Sequence, residues 1–547
     1  SPIDKQSQVT LAEGNLKVRT STTGGGYKVR GTIKLSGKVY FEGLIGAVGG
    51  DIGSWFGIAD YNDNVTDFNT SRRNGLYYNA SDFRKAVDGS FSVISSGALS
   101  ADDIIGLAYN FDDNEFSIYR NNSAVLTDAT FTNDVDFAPI ADIYRNDSTD
   151  TGFIFNFGQD SSFAGAKTAQ NNSDQNGRGD FYYSPPAGYL ALCTANLPEP
   201  TISPLNGDQP ADHFNTVLYS GTGSSNAITG VGFQPDMVWF KERSANTGGG
   251  NYWYQIDAIR GATKVLQSNT SGAESTGDSL SLDSDGFTLG SYSGGNANQN
   301  GETYAAWNWL GANGTTSNSD GTITSTISVN TKAGFSLMRY TGNHTAGATV
   351  GHGLGVAPKV VITKALTGTY SWIVGHNSFA SDAWTDAVYL DTLDAVSDYA
   401  GYWNDTAPTS SVISLGGAYN PVNGNALNYA MVAFAEVEGY SKFGRSTGNG
   451  STDGTFVYTG FRPAVVIAKP LTNGYNWVMY DNKRSPINPV RGILYPSGDY
   501  EENTGADRID FLSNGYKYLE TGNDNGDGLV SVFMAFAEMP FKYANAR

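Results

Sequence analysis

The chain is 547 residues long, 39% hydrophobic, 13% aromatic and only 16% charged, too long for one core and enough for roughly three to five domains. Its 34 Lys and Arg against 54 Asp and Glu leave a formal charge of −20, a surface that disfavours nucleic acid, which is held mainly by phosphate neutralisation, and anionic membrane. A single cysteine, Cys193, rules out an intrachain disulfide, and no apolar run is long enough to span a bilayer, so no membrane insertion is expected. With 67 Gly, 32 Tyr and 28 Phe among many Ser, Thr and Asn, turns and pleated strands are well supplied. No stretch carries helical periodicity, and the expectation is an all-β protein of many short strands. The chain opens at Ser1, with neither Met nor a charged-then-apolar leader, which implies processing.

Residues 1–34, with Gly24-Gly25-Gly26, read as a flexible lead-in. From 35 to 199 strand signals follow one another. Ser54-Trp55-Phe56-Gly57-Ile58-Ala59 reads as a buried strand. Asp102-Asp103-Ile104-Ile105-Gly106-Leu107-Ala108-Tyr109-Asn110-Phe111 predicts an apolar strand, Asp112-Asp113-Asn114 a tight turn, and Glu115–Arg120 an alternating return strand. Phe116 and Ile118 would face one side, with the next turn at Asn121-Asn122-Ser123. The stretch 200–211, entered through Leu197-Pro198-Glu199-Pro200, reads as an extended proline-punctuated linker.

Beyond it one pattern recurs three times. Gly232-Phe233-Gln234-Pro235, Gly355-Val356-Ala357-Pro358 and Gly460-Phe461-Arg462-Pro463 each precede a short apolar strand ending in Lys, then a loop, then Trp253, Trp372 or Trp477. Closing strands follow at Tyr304–Trp309, Tyr429–Glu436 and Val532–Glu538. Self-similarity at about the size of a domain predicts tandem modules, here 212–315, 316–439 and 440–547.

The hairpin at 102–122, with the strand Phe155-Asn156-Phe157-Gly158-Gln159 and the exit Pro185-Pro186-Ala187-Gly188-Tyr189, resembles SPRY domains, which are two-sheet concanavalin-type sandwiches. The resemblance covers 35–199. The three repeats resemble modules that follow such domains in marine tailed-phage fibre and virion proteins. The expected fold is therefore an N-terminal SPRY-like β-sandwich followed by three tandem β-sandwich repeats.

Aligned on their tryptophans, the repeats place Asp257, His376 and Asp481 four residues downstream, with Arg260 and Arg484 three further on in the first and third. A recurring Asp-x-x-Arg pair reads first as a structural clamp, and second as a ligand-binding pair. The second repeat has lost it. Trp384, Tyr402 and Trp403, in an insertion of that repeat, are candidate contact residues for a host glycan or protein. His344, His352 and His376 match no zinc spacing and read as loop residues satisfying turns. No nucleophile–base grouping assembles, and Gly-x-Ser-x-Gly is absent as a nucleophile elbow. Asn523-Asp524-Asn525-Gly526-Asp527-Gly528 has Met534 where a calcium loop needs a bidentate Glu. The acidic loops leave room for a bound calcium but specify none; no other cofactor is expected.

Together these readings imply a non-enzymatic phage virion structural protein, a tail-fibre or appendage subunit on the particle surface. It would self-associate, with a homotrimer as first expectation, contact other virion proteins and attach to a host-surface glycan or protein. Two alternatives stand beside it: a capsid-surface or filament and sheath assembly component, and a polysaccharide-degrading tailspike.

Overall fold

The computed structural model describes every residue except 1–3, 21, 24, 47–52, 62–71, 80, 96, 146–151, 245–251, 278, 292–296, 380–382, 418, 473, 546 and 547; Ser1 and Gly24 of the sequence reading thus lie outside the described residues. The chain divides into two compact units, Ser1–Pro198 and Glu199–Arg547. Both are all-β. Among the described residues the one α-helical turn is Asn420–Asn423, and no helix is long and apolar enough to cross a membrane.

In the first unit one sheet orders Val9–Ala12, Lys17–Thr20, Gly152–Asn156, Lys38–Ile45, Ile104–Asn110, Glu115–Arg120 and Ser123–Thr130. The other orders Gly25–Arg30, Phe137–Arg145, Ser54–Asp60, Asn74–Tyr78, Phe83–Val87 and Ser90–Ser95. Phe41, Phe56, Leu107, Phe116, Ile118 and Phe153 belong to one buried cluster. The central hairpin forms as expected, except that Glu115 pairs with Asn110, so that Phe111 joins the turn with Asp112, Asp113 and Asn114. Asn121 and Asn122 take positive φ angles of 48° and 68°, the backbone a two-residue hairpin turn requires. Residues 1–34 are not a lead-in: they supply three strands, one in the second sheet and two in the first. Val9 and Val18 join the core, and buried Arg30 pairs with Asp4 at 2.7 Å. These strands are short and weakly patterned, so their apolar face is seen only once it is paired.

The second unit repeats one plan three times. Each module has an opening strand (Phe214–Ser220, Phe335–Thr341, Ser441–Thr447), a corner strand (Met237–Glu242, Val360–Ala365, Phe461–Pro470), a tryptophan strand (Trp253–Asp257, Ile373–His376, Val478–Asp481) and a closing strand (Thr303–Trp309, Asn428–Phe434, Val530–Pro540). In every module they lie in the order opening, closing, corner, tryptophan, antiparallel throughout. A smaller sheet completes each module, for example Phe456–Tyr458 with Gly515–Tyr518 and Ile509–Leu512 in the third.

The corner glycines have a common cause. Gly232, Gly355 and Gly460 take φ angles of 91°, 77° and 82°, a region nearly closed to other residues. The proline that follows three residues later is buried in each copy; it stands just before the corner strand in the first two modules and at its third residue in the third. The 200–211 stretch is not an extended linker. It carries short 3-10 turns at Pro204–Asn206 and Pro210–Asp212, and Ile202 is fully buried in the core of the second unit. Glu199 accepts hydrogen bonds from the Tyr543 hydroxyl at 2.7 and 2.6 Å.

Candidate functional site

The three modules close on one another as a ring. Trp309, Phe434 and Phe536, equivalent residues of the three closing strands, meet with ring centroids 6.2, 5.9 and 5.4 Å apart. Each touches the other two, so a pseudo-threefold axis runs between them. The large hydrophobic cluster of this unit draws on all three modules. A small apolar cavity of about 40 Å³ lies between them, lined among others by Met237, Ile362, Val432, Ile467 and Met534.

The repeated tryptophans are the seams of this ring. Trp253 Nε1 of the first module donates to the carbonyls of Tyr495 and Gly498 in the third, at 2.9 and 3.1 Å. Trp477 Nε1 of the third donates to Tyr389 O of the second at 2.9 Å. Trp372 Nε1 of the second donates to Gln267 O of the first at 3.1 Å. The bonds run head to tail and close after three steps, as a heterologous interface does when its rotation closes. All three indoles are buried, and a buried indole N–H is costly without a partner.

In the second and third modules the residue four positions after the tryptophan meets the closing strand of a neighbour. Asp481 Oδ2 of the third module accepts from Trp307 Nε1 of the first at 3.2 Å. In the second module the same position is His376, whose Nε2 bonds the carbonyl of Phe533 in the third at 3.1 Å. Its Nδ1 accepts from Ser378 N at 3.1 Å, which leaves the proton on Nε2 as donor. The third module has Met534 where the first has Trp307, opposite Ile467 and Trp239 respectively. An aspartate would face a carbonyl there and an imidazole supplies the needed donor.

The Asp-x-x-Arg pairs are buried clamps. Asp257 takes the amides of Ile259 and Arg260 on Oδ1 and Arg260 Nε on Oδ2. Asp481 repeats this with Lys483, Arg484 and Arg484 Nε. Each arginine also donates to a carbonyl two residues before its aspartate, Gln255 O and Met479 O, and to a further carboxylate, Glu274 or Glu502. With side chains 0–1% exposed, these four residues brace the turn and present no open ligand pair.

Trp384, Tyr402 and Trp403 are also inside. Their exposures are 6%, 2% and 0%, so the expectation of a protruding contact loop is not met. The reason lies at Gly375, where the first and third modules have Ile256 and Tyr480, both buried. A Cβ on Gly375 would come within 2.7 Å of Trp384 and 2.8 Å of Trp403; the insertion folds back and its two indoles fill the volume that the larger residue occupies elsewhere. Trp403 Nε1 donates to Asp386 O at 3.1 Å, and Tyr402 shares its hydroxyl with Tyr389 and Ser397.

Two threefold sets escaped the sequence reading. Lys241, Lys364 and Lys469, the lysines ending the repeated apolar motif, are fully buried. Lys241 Nζ donates to Glu242 O at 2.7 Å, Lys364 to Ser271 O at 2.9 Å and to Tyr370 O, and Lys469 to Tyr475 O at 2.7 Å. Burial, opposed by nearby carboxylates, pushes Lys241 down to about 7 and Lys364 and Lys469 to about 8. A charge inside three copies of one apolar strand was the available signal. The second set is Asn298, Asn423 and Asn525, buried and bonded alike. Each accepts a backbone N–H from Thr222, Asn343 or Asn449 and donates to Ser224 O, Thr345 O or Ser451 O. Their signal was an asparagine six residues before the aligned Tyr304, Tyr429 and Ser531.

His352 behaves as a turn residue, its ring bonded to Leu354 N and Thr409 O. Asp524 and Asn525 of the calcium-like loop are fully buried. Among the described residues no three His, Cys, Asp or Glu side chains converge as metal ligands do.

A family model described as "Domain of unknown function (DUF7483)" matches residues 209–540, a span holding all three modules. None of the curated proteins matches the chain. Among solved structures the chain is similar to the SPRY domain of human HERC1, at 15% identity over 28% of this chain and 95% of that one, TM-score 0.24. It is also similar to the TRIM65 PSpry domain, at 12% identity over 28% and 89%, TM-score 0.23.

Proposed function

The chain belongs to the DUF7483 family, and on that premise we propose that it is a non-enzymatic virion structural protein, a tail-fibre or appendage subunit that attaches to a host-surface glycan or protein. The observation that carries this reading is the use to which the repeated residues are put. The tryptophans, the Asp-x-x-Arg clamps and the column around His376 bond the three modules to one another or brace their turns. Keeping the tryptophans in all three copies and the clamps in two of them keeps a rigid block, while the loops between strands vary from copy to copy. A rigid scaffold with variable outward loops is the general arrangement of binding proteins. The resemblance of both parts of the sequence to phage virion modules supplies the setting. Self-association of whole chains, with a homotrimer first, and contact with other virion proteins belong to the same proposal.

The test is immunogold labelling of purified particles with an antibody to this chain, alongside adsorption of the purified chain to susceptible cells. Gold on a surface appendage and competition with infection are the expected results. Unlabelled particles, together with a chain that neither binds cells nor slows infection, overturn the reading.

A further inference from the structure

The third module carries a surface loop that the ring holds from beneath. Where the other modules have return strands Lys264–Gln267 and Asp386–Tyr389, the third has an irregular stretch tied by single bridges, Met479 to Leu494 and Ile493 to Asn503. Trp253 holds its backbone at Tyr495 O and Gly498 O. Trp477 N donates to Ser497 Oγ at 3.1 Å, and Ser497 Oγ donates to Asn476 Oδ1 at 3.0 Å. Glu502, its carboxylate 6% exposed, takes Arg243 Nε at 2.7 Å and Arg484 Nη1 at 3.0 Å. The loop is thus stapled to two modules through its backbone, the Ser497 hydroxyl and one buried acid.

Above these staples lies an open depression of about 580 Å³ lined by Asn476, Tyr495, Tyr500, Glu501, Asn503 and Thr504, with Glu502 at its floor. That volume suits a small-molecule site. Tyr500 is 55% exposed, and its ring meets half-buried Tyr495 edge to face at 5.7 Å and 80°. The orientation of Tyr500 is therefore set while one face stays open. Around it stand two amides, a threonine hydroxyl and a carboxylate, which between them donate and accept. An apolar ring face beside mixed donors and acceptors matches a pyranose, which has one C–H face and a rim of hydroxyls. The charged side chains lining the depression are Glu501 and Glu502, and the whole chain is at −20, so an anionic sugar is repelled.

We propose that this depression binds a neutral glycan, with Tyr500 stacking on a sugar ring and Asn476, Glu501 and Asn503 bonding its hydroxyls. The proposal rests on the attachment reading above and names its ligand class and its place. It moves the binding surface from the insertion of the second module to the third.

The test is binding of the full chain to an array of neutral oligosaccharides of glucose, galactose, mannose and N-acetylglucosamine, beside sialylated and sulfated counterparts, with hits quantified by titration calorimetry. At least one neutral glycan binds, Tyr500→Ala weakens it tenfold or more, and Tyr399→Ala, an exposed tyrosine of the second module, leaves it unchanged. Both variants still unfold cooperatively with midpoints a few degrees at most below the parent, since each half-exposed ring gives up only edge-to-face contacts. Absence of neutral binding, preference for the anionic sugars, or full retention of binding in Tyr500→Ala overturns the site. Immunogold labelling separates the two claims. A labelled appendage whose adsorption survives Tyr500→Ala sinks this site alone, whereas unlabelled particles sink the attachment reading even if the glycan binds.

Discussion

The indole Nε1 of Trp307 donates to Oδ2 of Asp481 across the seam between the first and third modules, at 3.2 Å. The Arg484 guanidinium, held by the same aspartate, lies 5.7 Å from the centroid of that indole ring. One buried carboxylate thus clamps its own turn and fastens a neighbouring module. A pair read in sequence as a local clamp is also the joint of a ring.

This joint is measurable by a double-mutant cycle of Trp307→Phe and Asp481→Asn in denaturant unfolding. A coupling energy of about 1–2 kcal/mol is expected. Additive single effects would show that the contact contributes nothing to holding the ring.

The indole seams predict a graded cost. Trp477→Phe keeps the ring in place but leaves Tyr389 O without its donor, and costs about 1–3 kcal/mol. Trp403→Ala empties a packed volume over Gly375 and costs about 3–5 kcal/mol. Tyr399→Ala, at 47% exposure but edge to face with Tyr402 and Tyr419, costs about 1 kcal/mol. A Trp403→Ala protein as stable as the parent would contradict its place in the core.

His376 makes the second seam sensitive to acid. Burial takes it from its ordinary 6.5 down to about 4, since a proton on Nδ1 would charge an enclosed ring. Its stabilisation is complete above about pH 6.5 and is lost as pH falls towards 4, in total about 3 kcal/mol. His376→Gln keeps an N–H donor for Phe533 O and removes that titration. Unfolding midpoints between pH 7 and 4 then fall less steeply in the variant; identical slopes would refute the assignment.

Asp524 works in the opposite direction. Burial, reinforced by the Glu520 carboxylate, pushes it from 3.8 up to about 7. Its contribution is full below about pH 4 and is lost as pH rises through 7. Asp524→Asn keeps an acceptor for the Tyr480 hydroxyl, which bonds Oδ1 at 3.3 Å. The variant is more stable than the parent at pH 8 by about 4 kcal/mol, and the gap closes towards pH 4. A gap that persists at pH 4 would locate the effect elsewhere.

Much of the second unit was legible because its signals are local. Gly232, Gly355 and Gly460 need positive φ within a few residues of a buried proline, and apolar strands repeat at a fixed offset from each. The buried lysines stood in plain view within those strands, but a lone charge carries no mark of the carbonyl that will meet it. Trp384 and Trp403 misled because an insertion rich in tryptophan resembles a contact loop; only Gly375, a missing side chain in another strand, says where the indoles go. The strands of residues 1–34 were missed because short pairs at a sheet edge acquire a face only from their neighbours.

By itself, then, the amino-acid order determined the all-β class, the three modules and the identity of their corners and tryptophans, since turn geometry and strand alternation act over a few residues. Tertiary structure alone decided that the modules close into a ring. The bonds that close it join Trp253 to Tyr495, Trp372 to Gln267 and Trp477 to Tyr389, residues 242, 105 and 88 positions apart. No periodicity encodes such pairs. They form because a buried indole N–H and a backbone carbonyl each need a partner, and three copies of one sandwich bring them together at every seam.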